Sequence, residues 1–201
     1  MTVHSYSALK CFSTCPRQYE ALYLTKSVKR TSSPALEKGI AWHEALEKAV
    51  RDNTPLPSHL SKWQPLANTL RKAGAQVEVK LAMDREGNPC GFWDKHAWLR
   101  GAIDVDTGQL LLDWKTGKVY PDPLQADVYT ALKRASLPKL KVDFHFVYLE
   151  HSKVVTMKPN QDATNRVVQY IARVEQAETY PPRPCFACRW CPVTQCEYNG
   201  G

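Results

Sequence analysis

Leu99 to Thr130, LRGAIDVDTGQLLLDWKTGKVYPDPLQADVYT, restricts the fold more than any other stretch. Two apolar runs, LRGAIDV and QLLLDWK, are separated by Asp106-Thr107-Gly108, which suits a tight hairpin turn. A loop marked by Gly117, Pro121 and Pro123 follows, and then a helix from about 123 to 135. Side chains alternate across a strand, so Asp113 and Lys115 share one face; Leu110 and Leu112 are expected to face a core on the other. Asp104 ends the first strand, so two carboxylates and an ammonium converge at the end of a short sheet. Carboxylate and water oxygens suit Mg²⁺ or Mn²⁺. A metal held there lowers the pKa of a bound water and neutralises a phosphate transition state. Lys115 is placed to stabilise developing charge or to position the water. An Asp-x-Lys on a strand is also a common solvated edge, so the pair alone does not decide the chemistry.

The chain of 201 residues fits one domain, 1–201, with enough length for a real core. Its net charge of +7 favours an anionic partner, and nucleic acid fits. No apolar run approaches the ~20 residues of a membrane span. MTVHSYSALK has no secretory apolar region, and seven cysteines is an odd number. The thiols are therefore expected to be reduced or metal-bound in a cytoplasmic protein, not paired as a disulfide framework.

Residues 5–24 read as a first helix, capped by Ser5 or Ser7 and interrupted at Cys15-Pro16-Arg17. Lys26, Lys29 and Arg30 lie in a polar loop. Residues 34–51 form a second helix, with Ser33 as its cap and Pro34 in its first turn. His43 stands on it among apolar contacts, one turn before Glu47. A helix from about 58 to 73 is expected to end at Gly74, followed by a strand over 76–83. Glu78-x-Lys80 there also spells an acid-x-Lys pair. It is rejected as the catalytic one, because nothing around it repeats the Leu99–Thr130 pattern. Cys90 and His96 carry no matching motif. Beyond the central stretch, residues 141–150 and 152–159 read as two strands, with Val142, Phe144, Phe146 and Tyr148 on one face. A last helix from about 160 to 178 has Val167, Tyr170, Ile171 and Val174 as its apolar stripe. The tail over 180–201 holds Cys185, Cys188, Cys191 and Cys196 among prolines. A four-thiolate zinc site built from the tail alone would explain that density.

G-x-x-x-His43-x-x-x-Glu47, then Gly101-x-x-Asp104, then Asp113-x-Lys115-Thr116-Gly117, then Gln125-x3-Tyr129 resembles the RecB-type nucleases of the PD-(D/E)xK superfamily. The N-terminal S-x-S-x-L-x-x-F-x-x-Cys15-Pro16-Arg17-x-Tyr19 and the tail Cys188-x2-Cys191-Pro192 with Cys196 resemble its iron–sulfur branch, which includes AddB and the CRISPR-associated adaptation nucleases. The resemblance implies an α/β restriction-endonuclease-like core, a small mixed sheet flanked by helices, with catalytic residues over 76–158. It implies a metal-dependent DNA exonuclease in replication, recombination, repair or CRISPR adaptation, with helicase or recombination proteins as possible partners. His43, Asp104, Asp113 and the Trp114 carbonyl would hold Mg²⁺ or Mn²⁺, and Lys115 would act on the water and the phosphate. Gln125, Tyr129 and Arg17 would contact DNA, and Glu78 would lie near the site. Cys15, Cys188, Cys191 and Cys196 would hold a 4Fe-4S cluster that ties the two ends of the chain together. The tail departs from the pattern in its last spacing and in the extra Cys185, so Cys185 and Cys11 stay open as ligands. A DNA-end adaptor without catalysis and a zinc-stapled nucleic-acid-binding protein are the alternatives.

Overall fold

Apolar residues alternate along the strands and recur at helical spacing elsewhere, and the result is a six-stranded sheet covered by helices on both faces. The computed structural model describes residues 2–159 and 161–200. Met1, Asn160 and Gly201, at the edges of the expected domain, last helix and tail, lie outside them.

In chain order the elements are α1 (Tyr6–Thr14), α2 (Pro16–Tyr19), a π-helical turn (Glu20–Leu24), α3 (Pro34–Asp52), a 3₁₀ turn (Ser58–Trp63), α4 (Gln64–Lys72), β1 (Gln76–Met83), β2 (Pro89–Cys90), β3 (Leu99–Asp106), β4 (Leu110–Lys115), α5 (Pro123–Ser136), β5 (Asp143–Tyr148), β6 (Lys153–Met157), α6 (Ala163–Glu175) and a 3₁₀ turn (Phe186–Trp190). The sheet order is β2-β1-β3-β4-β5-β6. Among the described strands only β4 and β5 pair in parallel, joined by a crossover through α5.

Two expected helices are broken by proline. Cys15 is extended (φ −156°, ψ 109°) because the ring of Pro16 disfavours a helical residue before it, so α1 stops and α2 starts afresh. The helix expected over 58–73 is likewise a 3₁₀ turn followed by α4, with Pro65 in the first turn of α4, where its missing N–H costs nothing. Ser5 caps α1 by accepting from the Ala8 N–H at 3.3 Å, and Ser33 caps α3 through Leu36 at 3.2 Å.

The core lies on both sides of the sheet. On one side α1, α5 and α6 pack Leu9, Val128, Leu132 and Ile171 together. On the other, α3 and α4 bury Leu46, Val50 and Leu70 against Val105, Leu112, Trp114 and Val147. Leu111, Phe144, Phe146 and Tyr148 fill the space beneath α5. Here the expectation for β4 needs correcting. Leu112 points to the α3–α4 core as expected, but with Trp114; Leu110 is only half-buried and Leu111 is fully buried on the opposite face. A strand with helices above and below is buried on both faces and reads as a continuous apolar run, so alternation assigns its faces without showing that both are covered.

Glu175 at the end of α6 joins four segments. Its carboxylate accepts from Trp98 Nε1 (2.9 Å), from both terminal nitrogens of Arg85 (2.8 and 2.9 Å) and from His4 Nε2 (3.1 Å). Burial alone would raise its pKa, but these bonds hold it down, from 4.5 to about 2. Burial lowers His4, against the pull of Glu175. Both groups bind protons more readily in the unfolded chain, so stability is full above their unfolded values and falls as the pH drops through them. Glu175→Gln is therefore expected to cost ~2–3 kcal/mol at neutral pH and to flatten the loss of thermal stability between about pH 4.5 and 2. Unfolding curves measured across that range check it; an unchanged acid limb refutes it.

Candidate active site

Asp113 lies near the end of β4 and is the most constrained carboxylate of the site. Gln125, in the first turn of α5, donates from Nε2 to Asp113 Oδ1 at 2.5 Å and accepts from Lys115 Nζ at 2.8 Å. One amide therefore fixes both members of the Asp-x-Lys pair. Asp113 Oδ2 is fully buried, and its one neighbouring donor among the described residues is the Lys115 ammonium, 2.7 Å away. Burial raises the Asp113 pKa, with Asp104 adding to the rise and Lys115 and His43 opposing it.

Gln125 is held by the start of its helix. Asp122 caps α5 by accepting from Leu124 N–H at 3.0 Å. The same carboxylate accepts from the Tyr6 hydroxyl at 3.0 Å and pairs with Lys10 at 2.7 Å, so α1 locks α5 in place. The sequence reading missed this support; an Asp just ahead of a helix-starting Pro123 was the signal for the cap.

Asp104 on β3 accepts from the Trp114 backbone N–H at 2.8 Å, which pins the carboxylate against β4. The same oxygen lies 3.4 Å from His43 Nδ1, on α3. Burial pulls the His43 imidazole down, but the bond and charge of Asp104 more than offset this, and its pKa is raised overall. Gly39, one turn earlier, lets α3 approach the end of β4: a Cβ there would sit 3.2 Å from Thr116 Oγ1.

His43, Lys115 and Thr116 line an open cleft of about 640 Å³ together with Glu44, Glu47 and Glu78. Glu78 has φ +51°, an uncommon left-handed conformation for a strand residue. Its pKa is raised by partial burial and by Asp104 and Glu47. Its place near the site is legible from sequence, but no glycine announces this backbone. Tyr129 lies one turn beyond Gln125, with its ring over Gly101. Burial and the charges of Asp113 and Asp104 keep its phenol protonated.

Arg17 is placed elsewhere. It pairs with Glu197 at 2.8 Å and lines a cavity between residues 14–18 and 182–199. Cys15, Cys185, Cys188, Cys191 and Cys196 line that same cavity. Cys11 does not; it is buried, and its thiol donates to Gln18 Oε1 at 3.5 Å. Arg183 N–H points at Cys15 Sγ (3.4 Å) and Gln18 Nε2 at Cys191 Sγ (3.6 Å). The Cys191 thiol is pushed up by burial and by the neighbouring Cys15, Cys188 and Cys196, while the Val193 N–H opposes this. All seven cysteines are free of disulfides.

Among the described residues no three His, Cys, Asp or Glu side chains already close on one point as metal ligands. The donor chemistry nevertheless suits two different groups. The buried, under-donated Asp113 oxygen, Asp104 and an imidazole suit a hard divalent ion. The thiols around one cavity suit a thiolate-loving metal.

Residues 3–85 match the family model of the PD-(D/E)XK nuclease superfamily. That match covers α1 to β1, including His43, and stops before β3 and β4. No curated protein matches the chain. Among solved structures, the one titled "Crystal structure of SSO0001" superposes with a TM-score of 0.60 at 18% identity, covering 99% of this chain and 87% of that one. At that identity the likeness concerns the fold, and it extends over the whole sheet. No helix among the described residues is long and apolar enough to cross a membrane.

Proposed function

We propose that the protein is a divalent-metal-dependent DNA nuclease of the PD-(D/E)xK type. The observation that carries the reading is the Gln125 amide, which holds Asp113 and Lys115 together beside the His43–Asp104 pair. His43, Asp104, Asp113 and the Trp114 carbonyl would hold Mg²⁺ or Mn²⁺. The ion would supply an acidified water and charge neutralisation at the phosphate. Lys115, already oriented by Gln125, places its positive charge where negative charge develops. Gln125 keeps that ammonium and the carboxylate in register without itself changing charge. The neutral Tyr129 adds no repulsion towards a phosphate. An exonuclease acting on DNA ends is the finer reading, supported by the motif order alone. Digestion of end-labelled single- and double-stranded DNA with Mn²⁺ or Mg²⁺ tests both parts. Ladder-free release of mononucleotides or short products from the ends is expected; intact DNA under every condition refutes the reading.

The cysteine cavity supports a second metal with a structural role. Cys15, Cys188, Cys191 and Cys196 would hold a 4Fe-4S cluster, with Cys185 as alternate, and zinc is the competitor. A metal among these thiols reverses their mutual repulsion and lets them bind as thiolates. Anaerobically purified protein is expected to contain iron and sulfide and to absorb broadly near ~400 nm. Cys191→Ser is expected to lose the metal, while Cys90→Ser retains it. Zinc without colour moves the assignment to zinc, and metal-free protein with parental stability removes both.

A further inference from the structure

The surface of the β1–β3 pair carries an aromatic and basic cluster that the catalytic reading leaves unused. The Arg100 guanidinium lies 5.2 Å from the centre of the Phe92 ring and 4.9 Å from that of Trp93. Lys80 approaches the Phe92 ring at 6.0 Å. The two rings meet edge to face at 4.9 Å. Trp93 is 75% exposed, so one face of its ring is open to a partner. Neither Lys80 nor Arg100 has an ion-pair partner among the described residues, whereas Lys10, Arg85, Lys133 and Arg166 are all engaged by carboxylates. The nearby Asp94 turns back onto its own loop, where its Oδ1 accepts from the His96 N–H at 2.8 Å.

The cluster is continuous with the candidate active site. Arg100 and Asp104 lie on the same strand with the same parity, four residues and about 13 Å apart. Lys80 is opposite Ala102 in the β1–β3 register, between them. A chain lying along this ribbon would pass from the carboxylates to Lys80 and then reach Arg100 and the rings. Flat aromatic faces beside unpaired cations match unstacked bases on a phosphate backbone.

We propose that Trp93, Phe92, Arg100 and Lys80 form a nucleobase-stacking platform that grips an unpaired DNA strand beyond the carboxylates. Trp93 offers a ring face to a base, and Arg100 and Lys80 meet the adjoining phosphates. The proposal rests on the nuclease reading only for the direction in which the strand runs.

The test is binding of fluorescein-labelled oligo(dT), followed by anisotropy in EDTA over a salt series, beside a blunt hairpin duplex. Trp93→Ala is expected to weaken oligo(dT) binding about 5- to 100-fold, with Trp93→Phe keeping most of the affinity. Arg100→Gln is expected to lower the salt slope by about 0.7. The duplex is expected to lose far less than the single strand. Equal affinity of Trp93→Ala and the parent for oligo(dT), or an equal loss for the duplex, overturns the platform. Degradation of DNA with Mn²⁺ is scored separately. Inactive protein that still binds through Trp93 defeats the nuclease reading and keeps the platform; active protein indifferent to Trp93 does the reverse.

Discussion

Asp113→Asn is expected to lower metal-dependent DNA degradation by roughly 10³-fold or more while leaving the fold intact. The two effects separate because the carboxylate is poorly placed for stability. Burial raises its pKa in the folded chain, so the native state binds its proton more tightly than the unfolded state does. By linkage its contribution declines as the pH rises from the unfolded carboxylate range upwards. An amide of the same shape removes that penalty and still accepts from Gln125, but its Nδ2 then faces the Lys115 ammonium, so the two effects oppose and the melting temperature at neutral pH is expected to change little. Lys115→Ala is expected to lose activity comparably, but at a cost to stability, because it strands a buried carboxylate whose nearest cation is gone. End-labelled digestion and thermal unfolding of the two variants check this. Parental activity in either one dismantles the site assignment. A large loss of stability in Asp113→Asn would instead assign the carboxylate to the scaffold.

Gly101→Val is expected to destabilise the protein by ~2–4 kcal/mol, although valine is the better strand residue. The reason is Tyr129. A Cβ built on Gly101 would lie 2.8 Å from Tyr129 Cε1, closer than packed atoms come, and 3.0 Å from Leu132 Cδ1, tighter than most. Gly101 is thus the floor on which the Tyr129 ring rests, which links the first and last motifs of the Leu99–Thr130 stretch. Shifting the ring would disturb α5 and Gln125 with it. Tyr129→Leu is expected to recover part of the loss, so the two substitutions should be non-additive in a double-mutant cycle. Simple additivity would mean that the ring and the strand do not touch.

Much of this architecture was legible because its signals are local. Asp106-Thr107-Gly108 encodes the hairpin, Ser33-Pro34 the start of α3, and Gln125 and Tyr129 share a face because one helical turn separates them. The candidate site was readable to the extent that its residues cluster within that one stretch. What escaped depends on distant segments. The partners of Glu175 come from residues 4, 85 and 98. The Tyr6 and Lys10 support of Asp122 spans more than a hundred residues. The left-handed Glu78 has no glycine to announce it. The faces of β4 follow the alternation, and what escaped was that Leu111 is buried beside Asp113 on the second face as well. Arg17 was read from a motif, and its neighbour Glu197 lies 180 residues away.

The contact between residues 13–17 and residues 183–197 sets a timetable for synthesis. Arg17 finds Glu197, Cys15 meets the backbone of Arg183, and the Arg183 guanidinium reaches the Ser13 carbonyl. At ordinary translation speeds of about 5–20 residues per second, the first helices wait roughly 10–40 s for these partners to be made. The segment around Cys15 and Arg17 is therefore anchored only after residues 183–197 have been made, and a nascent chain keeps Cys15 apart from the tail thiols until then.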